Sequence, residues 1–237
     1  AFPVDGQAKA AFWNMAAGWF SSHLWERYLF TGDRTFLANE AYPIMKGAAE
    51  FFADWLVAAE NGELVTPVST SPENNFIAPG GQPAAVGVGC TMDLGIIREL
   101  FSRTIDAAEL LGRDAPLVRE LQDKLARLAP YRIGAQGQLQ EWREDYADHD
   151  PKHRHLSHLY ALHPGNQIHP DATPELFRAV ARTLELRGDA ATGWSMGWKI
   201  NFRARMLDGE RAYAIVRNLF TLVGTAETSM RGGGLYP

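Results

Sequence analysis

One carboxylate stands out for the chemistry its neighbours allow. Glu73 lies in the stretch TPVSTSPENNF, residues 66–76. Pro67 and Pro72 have a fixed φ and no amide donor, so the stretch cannot be an ordinary helix interior. Ser69, Thr70, Ser71, Asn74 and Asn75 surround Glu73 with short hydrogen-bonding side chains. A carboxyl group held this way, on a loop above a scaffold, suits general acid or base work. The same residues also read as a helix start, with Ser71 as N-cap, Pro72 at the first position and Glu73 in the first turn. The two readings are compatible, because a helix N-terminus can carry a functional carboxylate.

Other candidate groups cluster further along. Glu141, Glu144 and Asp145 in EWREDY could complete a two-carboxylate site with Glu73; a solvated acidic loop is the simpler reading. His149, His153, His155, His158, His163 and His169 are close in sequence, yet no HExxH pattern or Cys/His ligand spacing accompanies them, so they read as structural histidines and no metal site is expected. Arg154-His155 differs, since a guanidinium fork beside an imidazole suits a polyhydroxylated or anionic ligand. Trp13, Trp19 and Trp25 read as residues of one long helix, for core packing or for stacking on a sugar ring. GWSMGW, residues 193–198, carries small residues suited to close packing. No GxxxxGK[ST] loop occurs, and no cofactor is expected. Cys90 alone permits no internal disulfide and reads as a small buried residue.

The bulk numbers agree with a globular protein. The chain has 237 residues, 46% hydrophobic and 22% charged, enough for a sizeable core. The net charge of -5 and the lack of a Lys/Arg stripe argue against a nucleic-acid partner. No run of about 18 apolar residues suggests a membrane span, and no signal peptide is read. The sequence opens without Met and ends on GGGLYP, which reads as part of something longer.

Helices must position these groups. Apolar and aromatic residues recur at helical spacing from 7 to 30, dense enough to predict burial on more than one side. Gly32 suits a helix end and Asp33 a cap for the next helix. That second helix is predicted over 34–60, with a possible break near Pro43, making an αα-hairpin with the first. Thr91 is read as the cap of a helix at 92–111, ended by Gly112. Further helices are predicted at 115–128, 153–162, 174–186, 193–207 and 209–222, and a glycine-rich loop at 225–237. Hairpins alternate with long loops at 66–89 and 130–151, and a single all-helical unit is the simplest organisation.

Six stretches in order then make a specific resemblance. SSHLWERYLFTGD (21–33), AYPIMKGAAEFF (41–52), PVSTSPEN (67–74), GQLQEW (137–142), HRHLSHLYALHPGNQI (153–168) and TGWSMGWKINFRARMLDGERAY (192–213) resemble glycoside hydrolase family 95. The family is best known for α-L-fucosidases acting on terminal 1,2-linked fucose, with some members preferring α-L-galactosides. The resemblance implies an all-α chain, a little over half of an (α/α)6 barrel or toroid with long loops on one face. It makes residues 1–237 a partial catalytic domain, with N- and C-terminal parts of the same protein elsewhere. It implies that Glu73 is the general acid and that Arg154 and His155 bind the sugar. Trp13, thirteen residues before Glu26, matches a sugar-site tryptophan. The implied mechanism is inverting: an acid protonates the leaving oxygen while water attacks the opposite face. Glu73 is therefore expected in a partly desolvated setting. The implied partner is a fucosylated oligosaccharide, and the family's usual substrates suggest a periplasmic or extracellular location.

The sequence also departs from the family pattern. The water-activating Asp of a QIDGNFG-like motif and the asparagines of an NxN motif are both absent, and Trp13-Asn14 replaces the common Trp-Pro. The general base is thus expected outside this chain, and the isolated piece to be nearly inactive, with apolar helix faces exposed. An α-L-galactosidase on the same scaffold, or a glycan-binding helical module without chemistry, are the alternative readings.

Overall fold

The computed structural model describes residues 8–220. The chain is mostly helical and divides into two compact units that alternate along the sequence. Among the described residues the first comprises 8–72, 85–130 and 141–143; the second comprises 73–84, 131–140 and 144–220. The tail predicted at 225–237 lies outside the described residues.

In the first unit, α1 (Ala8–Ala11) and α2 (Ala16–Thr31) replace the single long helix predicted from periodicity. The break spans 12–15, where the Phe12 carbonyl accepts a hydrogen bond from the Thr70 hydroxyl at 2.7 Å. Trp13 therefore sits between helices, while Trp25 is buried in α2. Nor is α2 buried on two sides. Its buried residues, Gly18, Ser21 and Trp25, recur at spacings of three and four, while Phe20 and Phe30 are exposed. Gly32 ends α2 in the left-handed conformation, and the Asp33 carboxylate caps the next turn by accepting from the amides of Thr35 and Phe36.

The next helical run does not break at Pro43. It passes from α3 (Arg34–Phe36) through a π-helical turn (Leu37–Ala41) into α4 (Tyr42–Trp55). Pro43 has no amide to offer, and the ladder shifts register just before it, with the Tyr42 amide donating to the Leu37 carbonyl. The run stops at Trp55, short of residue 60. Leu56 turns extended, and β1 (Val57–Ala58) pairs with β2 (Leu64–Val65) about a turn where Gly62 has φ 83°.

The α5 (Thr91–Leu111) and α6 (Ala115–Arg127) pair completes the unit. Cys90, not Thr91, holds the cap position of α5. Asp114 precedes α6, but its carboxylate accepts from Tyr42 and Lys46 instead of capping the helix. Trp25, Phe36, Leu37, Tyr42, Met45 and Ala107 form one core cluster here. At Gly18 the helices come so close that a Cβ would lie 2.7 Å from Ile96 Cγ2.

The second unit holds a three-stranded sheet ordered β4–β3–β5, all antiparallel. Its strands are β3 (Phe76–Ile77), β4 (Pro83–Ala84) and β5 (Ala147–Asp148), with Phe76 opposite both Ala84 and Asp148. Phe76 stacks on Tyr146, with ring centroids 4.2 Å apart. These short strands were not anticipated. The helical stretch predicted at 153–162 narrows to a 3-10 turn (Ser157–Ala161). After it come α7 (Pro174–Arg187), α8 (Gly193–Arg205) and α9 (Gly209–Leu219). Leu139, Leu159, Leu162, Val180, Leu184 and Phe202 lie in the core of this unit.

Candidate active site

The second unit brings Glu73, Arg154 and His155 together. Arg154 Nη2 donates to Glu73 Oε2 at 2.6 Å, across 81 positions of sequence. His155 Nε2 stands 3.8 Å from the same oxygen. The Glu73 side chain is 44% exposed and the Arg154 side chain 34%. Glu73 thus sits in a charged setting that is half open to solvent and not enclosed. It does not open a helix: residues 72 and 73 form a turn.

The backbone of Arg154 and His155 is held from beneath. The Arg187 guanidinium, only 4% exposed, donates to the His155 carbonyl at 2.9 Å and to that of His153 at 3.4 Å. Asp148 lies 3.7 Å from the same guanidinium. The buried Ser195 hydroxyl donates to the Arg154 carbonyl at 2.5 Å. The His155 amide donates to His153 Nδ1 at 3.2 Å, which makes that nitrogen an acceptor. The loop carrying the two ligand-type side chains is therefore anchored to α7 by Arg187 and to α8 by Ser195.

Neither anchor was singled out from sequence. A signal for Arg187 exists: it continues the buried stripe Val180, Thr183, Leu184 of α7, at spacings of three and four. A charged residue in phase with an apolar stripe is buried with partners or not at all. Trp194 lies in the first turn of α8, where the small residues of GWSMGW suggest only close packing. It is 49% exposed and its ring meets that of His155 at 4.7 Å between centroids and 69° between planes.

Asp145 has a structural task. Its carboxylate accepts from the Ala135 amide at 2.6 Å and from Gln138 Nε2 at 2.9 Å, closing the turn around Gly134. Glu144 is exposed. Among the described residues, no three His, Cys, Asp or Glu side chains are grouped to hold a metal ion.

The first unit carries the residues on the other side of Glu73 in sequence. Loop 66–72 pairs with 87–89: Ser69 exchanges both backbone hydrogen bonds with Gly87, and the Gly89 amide donates to the Thr66 carbonyl. Below it, Asp93 is buried in the first turn of α5. Its Oδ2 accepts from the hydroxyls of Ser69 at 2.6 Å and Thr66 at 3.1 Å. Burial, partly offset by these two hydroxyls, pushes the Asp93 carboxyl up to about 7. Burial likewise pushes the Cys90 thiol up, which keeps it protonated and unreactive. Ser71 spends its hydroxyl on buried Glu141 at 2.5 Å, so it is not available to cap a helix. Trp13 packs edge-on against Trp19 at 6.1 Å, and its buried indole N–H has no hydrogen-bond partner among the described residues.

A helical scaffold offering a carboxylate, a guanidinium and an imidazole at one place is suited to a polyhydroxylated ligand. The chain belongs to glycosyl hydrolase family 95, whose catalytic-domain model matches residues 1–237. It is 41% identical over 235 residues to alpha-L-fucosidase 2 of Arabidopsis thaliana, covering 99% of this chain and 28% of that protein. It is 33% identical over 208 residues to probable alpha-fucosidase A of Aspergillus niger, covering 83% of this chain and 26% of that protein. The corresponding protein of Aspergillus oryzae is 29% identical over 197 residues, 76% of this chain and 26% of its own length. The chain thus spans little more than a quarter of the curated relatives it matches.

Proposed function

We propose that the complete protein removes terminal α-L-fucose, 1,2-linked, from oligosaccharides by inversion, with Glu73 as general acid. Residues 1–237 are then part of an (α/α)6 catalytic domain. Arg154, His155 and Trp13 bind the sugar. The water-activating groups lie outside these residues, since neither motif that would supply them occurs here. The relatives' names support fucoside cleavage. The observation that carries the residue roles is the meeting of Glu73 Oε2 with Arg154 at 2.6 Å and His155 at 3.8 Å.

Without sugar, Glu73 accepts from Arg154. A general acid must instead carry a proton and present it to the glycosidic oxygen. Sugar hydroxyls are acceptors that compete for the guanidinium, so sugar binding releases the carboxyl from its ion pair and encloses it. The bound substrate then shields the released carboxyl from bulk water. Water then attacks from the opposite face, across the carboxyl separation of about 6.5–9.5 Å typical of inverting enzymes.

The test is fucose release from a 2-linked fucosyl oligosaccharide by the complete protein, wild type and Glu73→Gln, followed by early anomeric NMR. β-L-Fucose from wild type and a fall of several orders of magnitude in the variant are expected. Equal rates would remove Glu73 from the chemistry. Cleavage of α-L-galactosides in preference would move the substrate assignment to that sugar. Sugar binding without turnover in either form would make the site a glycan-binding one. The isolated 237-residue piece is expected to show no turnover.

A further inference from the structure

Trp194 stands half exposed beside the Glu73–Arg154–His155 cluster. Large aromatic side chains are ordinarily buried for most of their area, yet Trp194 is 49% exposed. One turn on, Trp198 behaves as expected, partly buried against the core of its unit and 5.4 Å from the His163 ring. Trp194 is nonetheless held in place. Its neighbour Ser195 is fully buried and bonded to the Arg154 carbonyl, which ties the first turn of α8 to the Arg154-His155 segment. Its ring meets His155 nearly at right angles, a contact that occupies one part of the indole and leaves the rest in solvent.

The surroundings identify what an open indole would meet. On the side of His155 the neighbours are ionic: His155 lies 3.8 Å from Glu73, which is bound to Arg154. A purely apolar partner would strip water from these charged groups and offer no hydrogen bonds in return. A sugar ring answers both demands, because its C–H face packs on an aromatic ring while its hydroxyls bond to charged side chains at the edge. From this geometry we infer that Trp194 is a sugar-binding residue, a rigid platform on which a ring of the bound oligosaccharide stacks beside the Glu73–Arg154–His155 cluster. The inference rests on the proposed sugar-cleaving role of that cluster and adds a contact to it.

Two measurements on the complete protein test this. In the first, Trp194→Ala and Trp194→Phe are compared with wild type on the 2-linked fucosyl oligosaccharide. Trp194→Ala is expected to raise KM about three- to tenfold with little change in kcat, as loss of one stacking contact would, and Trp194→Phe to recover most of it. In the second, the same oligosaccharide is titrated into Glu73→Gln and Glu73→Gln/Trp194→Phe while tryptophan emission is followed. The sugar-induced change is expected in the former and clearly smaller in the latter. Trp13, which also meets the sugar in the proposed site, still reports in Trp194→Phe, so an unchanged KM in Trp194→Ala, or an emission change of undiminished size in Trp194→Phe, overturns the inference. Turnover by wild type against Glu73→Gln, set beside these two measurements, separates the two readings. Wild-type turnover that depends on Glu73 upholds the acid assignment even where Trp194 fails. Absent turnover with a Trp194-dependent emission change removes the hydrolase reading and keeps the platform.

Discussion

Arg154 and Glu73 form an ion pair of 2.6 Å between residues from two irregular segments of the same unit. Both side chains are more than a third exposed, counting residue 154 at 34% and residue 73 at 44%, so the pair contributes little to stability, about 1 kcal/mol at most. Under the proposed function the pair places a guanidinium where a sugar can compete for it. Arg154→Ala is therefore expected to leave the unfolding midpoint nearly unchanged. If the proposed function holds, it should lower kcat/KM of the complete protein about 10- to 100-fold, from loss of charged hydrogen bonds worth about 1.5–3 kcal/mol. Steady-state kinetics beside a thermal melt separate the two effects.

Arg187 should behave in the opposite way. It is buried and holds the carbonyls of His153 and His155. Arg187→Leu removes the guanidinium that donates to both carbonyls and lies 3.7 Å from Asp148. Stability should fall by roughly 2–4 kcal/mol in urea titration, and sugar affinity should fall with it because the Arg154-His155 backbone loses its support. Arg187→Lys restores the charge without the fork and should recover only part of either loss.

The buried Asp93 carboxyl gives a pH signature. Its pKa is raised from 3.8 to about 7 on folding. The folded protein therefore binds this proton more tightly than the unfolded chain does. Its contribution to stability is full below about pH 4 and is lost as pH rises through about 7. Urea unfolding between pH 4 and 8 should show wild type losing on the order of a few kcal/mol more than Asp93→Asn across that window. Asparagine keeps an acceptor for Ser69 and Thr66 but has no proton to lose. Identical pH profiles for the two proteins would contradict the assignment.

Two helical glycines should respond with opposite signs. A Cβ at Gly18 would lie 2.7 Å from Ile96 Cγ2 and 3.1 Å from Phe52 Cε2. Gly18→Ala gains about 1 kcal/mol of helix propensity but meets overpacking of about 1–3 kcal/mol, so net destabilisation is expected. At Gly47 in α4 nothing lies within 4 Å. Gly47→Ala should stabilise the protein by about 0.5–1 kcal/mol. Chemical denaturation of both variants checks the pair.

The sequence by itself determined the features that depend on neighbours in the chain. Helical periodicity located α5 to α9 to within a few residues. Gly32 and Gly112 marked helix ends because a left-handed residue is needed there, and Asp33 marked a cap because its carboxylate reaches amides two and three residues ahead. The candidate residues Glu73, Arg154 and His155 were legible too, through ordered motifs spread over the chain. Tertiary structure alone decided where side chains spend their bonding capacity. Ser71 has the identity of a helix cap, yet bonds Glu141, 70 positions away. The carbonyl of Phe12 bonds Thr70, 58 positions away, within a helix break that periodicity did not indicate. Arg187 anchors the site through carbonyls 32 and 34 positions back, and Trp194 stays exposed beside His155. A local pattern specifies which elements can form, because it records only the torsional and hydrophobic preferences of adjacent residues. Which donor meets which acceptor across dozens of residues is settled when the elements pack, since every buried polar group must then find a partner from whatever the fold has brought near.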